Sequence, residues 1–185
     1  MVTLGMLWLP ILVSTVAVFV VSSLIWMVLQ LHRKDWAQLP NEEAFANVLN
    51  AQNAPPGEYT FPYCANTADW KTEAWQAKFK RGPVGFLTLR PPGDMGMGKS
   101  MGAWVVYIVI IQVFVAYLAS RSLDVGALFG DVFQVVGTTA ILAFAGAIAP
   151  ESIWMGRQWR NTFKGIFDGI VYGLVTAAVF GWLWP

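Results

Sequence analysis

One cysteine, Cys64, and one histidine, His32, are present in 185 residues. A lone cysteine cannot close an internal disulfide, and the two residues together cannot supply the ligand sets that hold zinc, haem or iron–sulfur clusters. No metal or cofactor site is expected. Charge is scarce too: Asp, Glu, Lys and Arg make up 12% of the chain, where a soluble domain carries about 25%. The formal net charge of +1 leaves no basic footprint for nucleic acid. What the chain has instead is apolar surface, with 56% hydrophobic residues and ten tryptophans. The composition predicts a protein whose solvent is a bilayer.

From Met1 to Leu31 there is no ionisable side chain. Residues 7–30 are long enough to cross a hydrocarbon core of about 30 Å at about 1.5 Å per residue, which makes them the first predicted span. Pro10 falls in its first turn, and Trp8 sits where an interfacial aromatic belongs. A secretory signal is the rival reading, but no basic stretch precedes the segment and no small-residue cleavage site follows it. Residues 101–120 (centred on WVVYIVIIQVFVAYLA), 132–149 and 165–184 are the second to fourth spans. The first of these is rich in β-branched residues. It is still read as a helix, because an isolated strand cannot satisfy its backbone in lipid. The expected fold is therefore an all-α membrane protein of four transmembrane helices, with a small α+β loop between the first two.

Orientation follows from Lys and Arg near the span ends. Arg33, Lys34, Arg90 and Lys99 flank the first loop, Arg121 stands alone in the second, and Arg157, Arg160 and Lys164 lie in the third. Loops one and three are thus expected on the cytoplasmic side, with both termini on the periplasmic or outer side. The cytoplasmic loop, residues 32–100, holds eight Lys+Arg against seven Asp+Glu and reads as a mixed solvated surface. Asn41 before EEAFANVLNAQ predicts an N-capped helix stopped by Pro55-Pro56-Gly57. Residues 58–64 and 84–89 are short strand candidates around a helix near 68–80. Two such strands are marginal alone, so the cap is expected to pack on the membrane domain or on another protein.

Gly93 to Ser100 reads GDMGMGKS, a literal match to G-x-x-x-x-G-K-[ST]. Phosphate binding also needs a parallel sheet to aim the loop and an acidic residue on another strand to hold magnesium. A loop of this size with no βαβ unit supplies neither. The segment is read as a Gly/Met hinge, with Lys99 as a headgroup anchor.

Gly165, Gly169, Gly173, Ala177 and Gly181 recur every four residues in the fourth span and form a helix-packing ridge. Its partner is either another span of the same chain, with Thr139, Ala143 and Ala147 a comparable face in span three, or a second chain. Asp168 is the only carboxylate expected inside a span, and an intramembrane acid is a functional candidate by default. Lys164, four residues earlier, is its expected ion-pair partner. Gln112, Gln134, Thr138, Thr176 and Tyr172 are candidates to join Asp168 in a polar seam. Residues 151–163 read as an interfacial segment, and Trp8, Trp154, Trp159, Arg157 and Lys164 as interfacial anchors. His32, beside Arg33 and Lys34, lacks a visible partner, and no catalytic residue is assigned.

The segments LWLPILVS, PPGEY, GPVGFLTLRPPG, MGKS and DGIVYGLVTAAVFGWLWP together resemble a family of small, uncharacterised four-span bacterial inner-membrane proteins. The resemblance covers nearly the whole chain and implies that location, with no activity or functional residues to transfer. Taken together, the expectation is a non-catalytic integral membrane subunit or scaffold of a larger bacterial complex, whose partners are lipids and other subunits or copies of itself. The alternative is a small self-associating transporter or channel with a polar seam around Asp168.

Overall fold

The computed structural model describes residues 2–93 and 96–185 and is mostly helical. Four helical stretches, Leu4–Val28, Met97–Ser122, Phe129–Trp154 and Trp159–Trp182, are long and apolar enough to cross a membrane. The chain divides into two compact units. One holds residues 2–36, 96–153 and 157–185, and the other residues 37–93 and 154–156.

The helical unit begins with a short turn and α1 (Trp8–Ser23), which continues as a π-helical turn over Leu24–Val28. Serine and threonine are poor helix formers because their hydroxyls compete for backbone groups. In α1 those hydroxyls bond back along the helix: Ser14 to the Pro10 carbonyl at 2.6 Å, Thr15 to Ile11 at 2.7 Å and Ser23 to Phe19 at 2.8 Å. No hydroxyl proton is left unpaired there. The unit resumes after the other region with α4 (Met97–Ser122), α5 (Phe129–Ala145), the short α6 (Ala149–Trp154) and α7 (Trp159–Trp182). Where composition predicts one span over 132–149, the chain thus forms two helices with a break at 146–148, and Pro150 sits in the first turn of α6, where its missing N–H is harmless. The interfacial stretch 151–163 is divided in the same way, between the end of α6 and the start of α7.

Helices α1 and α5 each pack on both α4 and α7, closing a four-helix bundle. The tightest seam is α5 on α7, and the small residues of α7 make it. A Cβ added at Gly169 would lie 2.8 Å from the Ala145 Cβ, one at Gly173 2.8 Å from the Ile141 backbone nitrogen, and one at Gly181 2.6 Å from the Phe129 ring. Ala177 faces Gly137, and Gly165 faces Ile148. The ridge is therefore filled within the chain. Its partner face is Gly137, Ile141, Ala145 and Ile148 rather than Thr139, Ala143 and Ala147, because α5 is rotated so that Ala143 and Ala147 are exposed.

The core of Leu7, Val18, Ile108, Val115, Val132, Val136, Ala140 and Phe180 is fully or almost fully buried. Val16, Val20, Ile110, Phe114, Leu142 and Phe167 point outward from the same helices and are exposed. The bundle is apolar on both its inner and outer sides.

In the second unit, α2 (Glu42–Ala51) is capped by the Asn41 side chain, which accepts from the Ala44 N–H at 3.0 Å. Strands β1 (Gly57–Phe61) and β2 (Gly85–Leu89) pair antiparallel, from Gly57 opposite Leu89 to Phe61 opposite Gly85. Between them lie a 3₁₀ turn (Thr67–Lys71) and α3 (Glu73–Arg81), where the sequence predicts one helix over 68–80. The division falls at Thr72, whose extended backbone and hydroxyl cap α3 by accepting from the Trp75 N–H. Gly82, at φ +66° and ψ −177°, takes a positive-φ backbone that suits glycine and ends α3. Peptide bonds Phe61–Pro62 and Gly82–Pro83 are cis. No described residue of this unit is fully buried.

Candidate functional site

Four titratable groups of the helical unit, His32, Asp35, Lys164 and Asp168, meet where α1 ends. Gln30 adopts φ +50°, a left-handed backbone that reverses the chain after the π-helical turn. The Arg33 N–H then donates to the Gln30 carbonyl and the Asp35 N–H to the His32 carbonyl, so residues 31–35 fold back toward α7. The reversal delivers His32 to Asp168. The His32 Nε2 lies 2.9 Å from the Asp168 Oδ2, and its Nδ1 lies 2.6 Å from the Asp35 Oδ2. These three side chains are 5%, 7% and 2% exposed, respectively, so the contacts form almost entirely out of solvent.

Other groups complete the cluster. Trp26, carried by the π-helical turn, stacks on the His32 ring with centroids 4.0 Å apart and planes 8° from parallel. The Lys164 ammonium donates to the Leu31 carbonyl at 2.8 Å and to the second Asp35 oxygen, and the Asn161 amide donates to the Asp35 carbonyl at 3.1 Å. Burial pushes the Asp35 carboxyl up, but hydrogen bonds and charge from Lys164 and His32 outweigh it and hold the group below the ordinary 3.8. Lys164 thus serves Asp35, not Asp168. The i,i+4 pairing expected from spacing gives way to two acceptors on the folded-back segment, the Leu31 carbonyl and the Asp35 carboxylate.

An imidazole can donate from both nitrogens only as imidazolium, and as a neutral ring it donates from one and accepts at the other. Flanked by Asp35 and Asp168, His32 can take a proton at one nitrogen and release one at the other. The arrangement fastens residues 31–35 to α7. The Asp168 Oδ1 is closed off from solvent, with the Trp26 indole as the neighbouring donor to the carboxylate.

No protein-family model, curated protein or solved structure matches the chain. The geometry of its own residues has to carry the functional argument.

Above the cluster, a cavity of about 550 Å³ opens between α1, α4, α5, α6 and α7. Trp104, Tyr107, Phe144 and Tyr172 form one wall, with successive ring centroids 5.4 to 6.4 Å apart. The Trp104 indole N–H donates to the Ser22 hydroxyl at 3.0 Å and ties α4 to α1. Asp168 reaches the cavity from α7, and Glu151 and Arg157, paired at 2.5 Å, line it elsewhere. Among the described residues no group of three His, Cys, Asp or Glu side chains could hold a metal ion.

The polar candidates separate. Gln112 is buried and donates to the Thr176 hydroxyl at 2.9 Å, which donates in turn to the Tyr172 carbonyl at 2.9 Å. Its Oε1 has no hydrogen bond. Gln134 and Thr138 are exposed on the outer side of α5 and do not join Asp168. Gln112 and Thr176 form one hydrogen-bonded chain ending on the Tyr172 carbonyl, and Asp168 bonds His32 apart from it. Trp8, Trp154 and Trp159 are exposed, Arg157 pairs with Glu151, and Lys164 lies in the cluster instead of reaching outward. In the GDMGMGKS segment, Asp94 and Met95 lie outside the described residues, and Met97 already begins α4.

His32 and Asp35 are the site residues that sequence reasoning passes over. Their i,i+3 spacing beside a predicted span end is the available signal, but Asp168 is 136 positions away and the reversal at Gln30 has no glycine to announce it.

Proposed function

We propose that this chain is a multi-pass protein of a bacterial cytoplasmic membrane, a non-catalytic subunit or scaffold of a larger membrane assembly. The observation that carries the reading is how four titratable groups at the end of α1 are used. His32, Asp35, Lys164 and Asp168 are bonded to one another and to the backbone, so their polarity fastens two chain segments together. The exposed apolar residues on the outside of all four helical stretches support lipid or protein as their surroundings. The Lys and Arg distribution supports residues 32–100 in the cytoplasm and both termini outside. Lipids and other membrane subunits are the proposed partners, and nucleic acid is not among them. Native mass spectrometry after gentle detergent extraction from the source membrane tests the reading. Recovery with other subunits at a fixed ratio is expected, and a pure homo-oligomer contradicts it.

A second reading, a self-associating transporter or channel, is favoured by the buried Asp168 carboxylate within α7. It requires that Asp168→Asn abolish flux in reconstituted vesicles while leaving assembly intact. Unchanged flux removes it.

A further inference from the structure

The helices of the second unit are thinly partnered. The main contact of α3 is with the 3₁₀ turn just before it, and α2 has no extended contact with any other element. Along that turn and α3, Trp70, Trp75 and Phe79 form one run of rings, with successive centroids 6.3 and 5.1 Å apart. Trp70 is 55% exposed and Phe79 47%. Aromatic surface left open in this way marks a contact with a protein or a membrane.

Charge decides between the two. Lys71, Lys78, Lys80 and Arg81 stand in the same stretch against Asp69 and Glu73, four cations to two carboxylates, which leaves it at +2. All four cations are exposed, and none forms an ion pair among the described residues. Lys78 follows Trp75 by three residues and so stands beside it on the helix, and Lys71 adjoins Trp70. Basic groups interleaved with Trp and Phe on an exposed helix match an anionic bilayer surface, where rings sit at headgroup level and cations meet phosphate. Helix α2 offers the contrast: it exposes Phe45 and Val48, but its charged residues are Glu42 and Glu43. An anionic surface repels it. We propose that α3 and the turn before it, residues 67–81, dock on anionic phospholipid headgroups, with the four cations on the phosphates and the Trp70 and Phe79 rings seated among the headgroups. The proposal rests on the membrane reading and deepens it, since residues 37–93 lie between two helical stretches read as spans and a bilayer would tether the unit at both ends.

The test uses the full chain reconstituted in vesicles of phosphatidylcholine alone and of phosphatidylcholine mixed with phosphatidylglycerol, with amide exchange followed by mass spectrometry. Exchange over residues 67–81 is expected to slow about tenfold in the mixed vesicles at low salt, within what a net +2 allows at about fivefold per cation. At about 1 M salt, where the Debye length falls to about 3 Å, the difference should vanish. Lys78→Gln combined with Lys80→Gln removes two charges at little cost in helix propensity and should abolish the slowing. Trp70→Ala keeps every charge and should reduce the protection while leaving its salt dependence; unchanged protection overturns the seating of that ring. Residues 42–51 of α2 should exchange alike in both vesicles, and equal slowing there overturns the assignment to α3. Equal exchange of residues 67–81 in the two vesicles overturns the proposal. So does slowing that survives high salt or the double lysine variant, the result that a protein partner gives. A chain that floats with the vesicles but shows no slowing loses only the docking surface, whereas one that floats with neither vesicle overturns the membrane reading as well.

Discussion

The two units of this chain reach order by opposite routes. The helical unit buries a continuous apolar core and seals one seam with glycines so close to their neighbours that a single methyl group does not fit at Gly169 or Gly173. The second unit has a two-stranded antiparallel sheet, two short helices and no fully buried described residue, while Phe45, Tyr63, Trp70, Phe79 and Phe86 are exposed. Its order rests on local devices: the Asn41 and Thr72 caps, the Asn66 side chain that accepts from the Ala68 N–H, and the strand register. Cores average many contacts and tolerate the loss of one polar bond outside the titratable cluster. A two-stranded sheet without a core depends on each of its few bonds and is marginal in water.

The largest effect that separates the units is expected at the His32 cluster. His32→Ala leaves the Asp35 and Asp168 carboxylates without the ring between them, and breaking a buried pair costs about 3–5 kcal/mol. Denaturant titration followed by helical circular dichroism should show that loss across the helical unit. Gly173→Ala comes next. Its methyl group meets the Ile141 backbone, which cannot move aside as a side chain can, and overpacking of this kind costs about 1–3 kcal/mol. Gly102→Ala, on the same bundle with nothing within 4 Å of its added Cβ, is the control that should change little.

Asn41→Ala should cost about 1 kcal/mol and should be felt only in α2. Amide exchange reads it: faster exchange confined to residues 42–51 keeps the units separate, whereas acceleration in α5 or α7 breaks the comparison. Acid is the gentlest probe. Because the Asp35 carboxyl titrates below 3.8 when folded, the stability it contributes is fully present above the unfolded value and is lost as pH falls through the folded one. Asp35→Asn should flatten that part of the stability profile and leave the region above pH 5 without slope from this group. An unchanged acid limb in the variant contradicts the role given to Lys164 and His32.

Several features were legible in the chain before folding because they are local or periodic. Four apolar stretches, the Asn41 cap and the four-residue spacing of Gly165 to Gly181 all lie within a few turns of themselves. The partner of the ridge was not legible to better than two residues, since Thr139, Ala143 and Ala147 look the better small-residue face while the rotation of α5 presents Gly137, Ile141 and Ala145 instead. The cluster was hidden for a different reason. Asp168 has Lys164 one turn away, and nothing in the spacing says that a residue 136 positions earlier will take its place. Gln134 and Gln112 likewise look equivalent in sequence, and only helix rotation puts one outside and the other against Thr176.

The placement of the helical unit across a membrane, with the second unit inside the cell, is the claim on which the rest depends, and Cys64 is a built-in reporter for it. As the single cysteine it is partly exposed in the second unit, its thiol donating to the Asn66 carbonyl at 3.0 Å. Maleimide labelling of intact cells, with membrane-permeant and membrane-impermeant reagents compared, reads its side directly. The account predicts labelling by the permeant reagent alone, with the impermeant one reaching Cys64 only after the cells are opened. Labelling of Cys64 by the impermeant reagent in intact cells would contradict it.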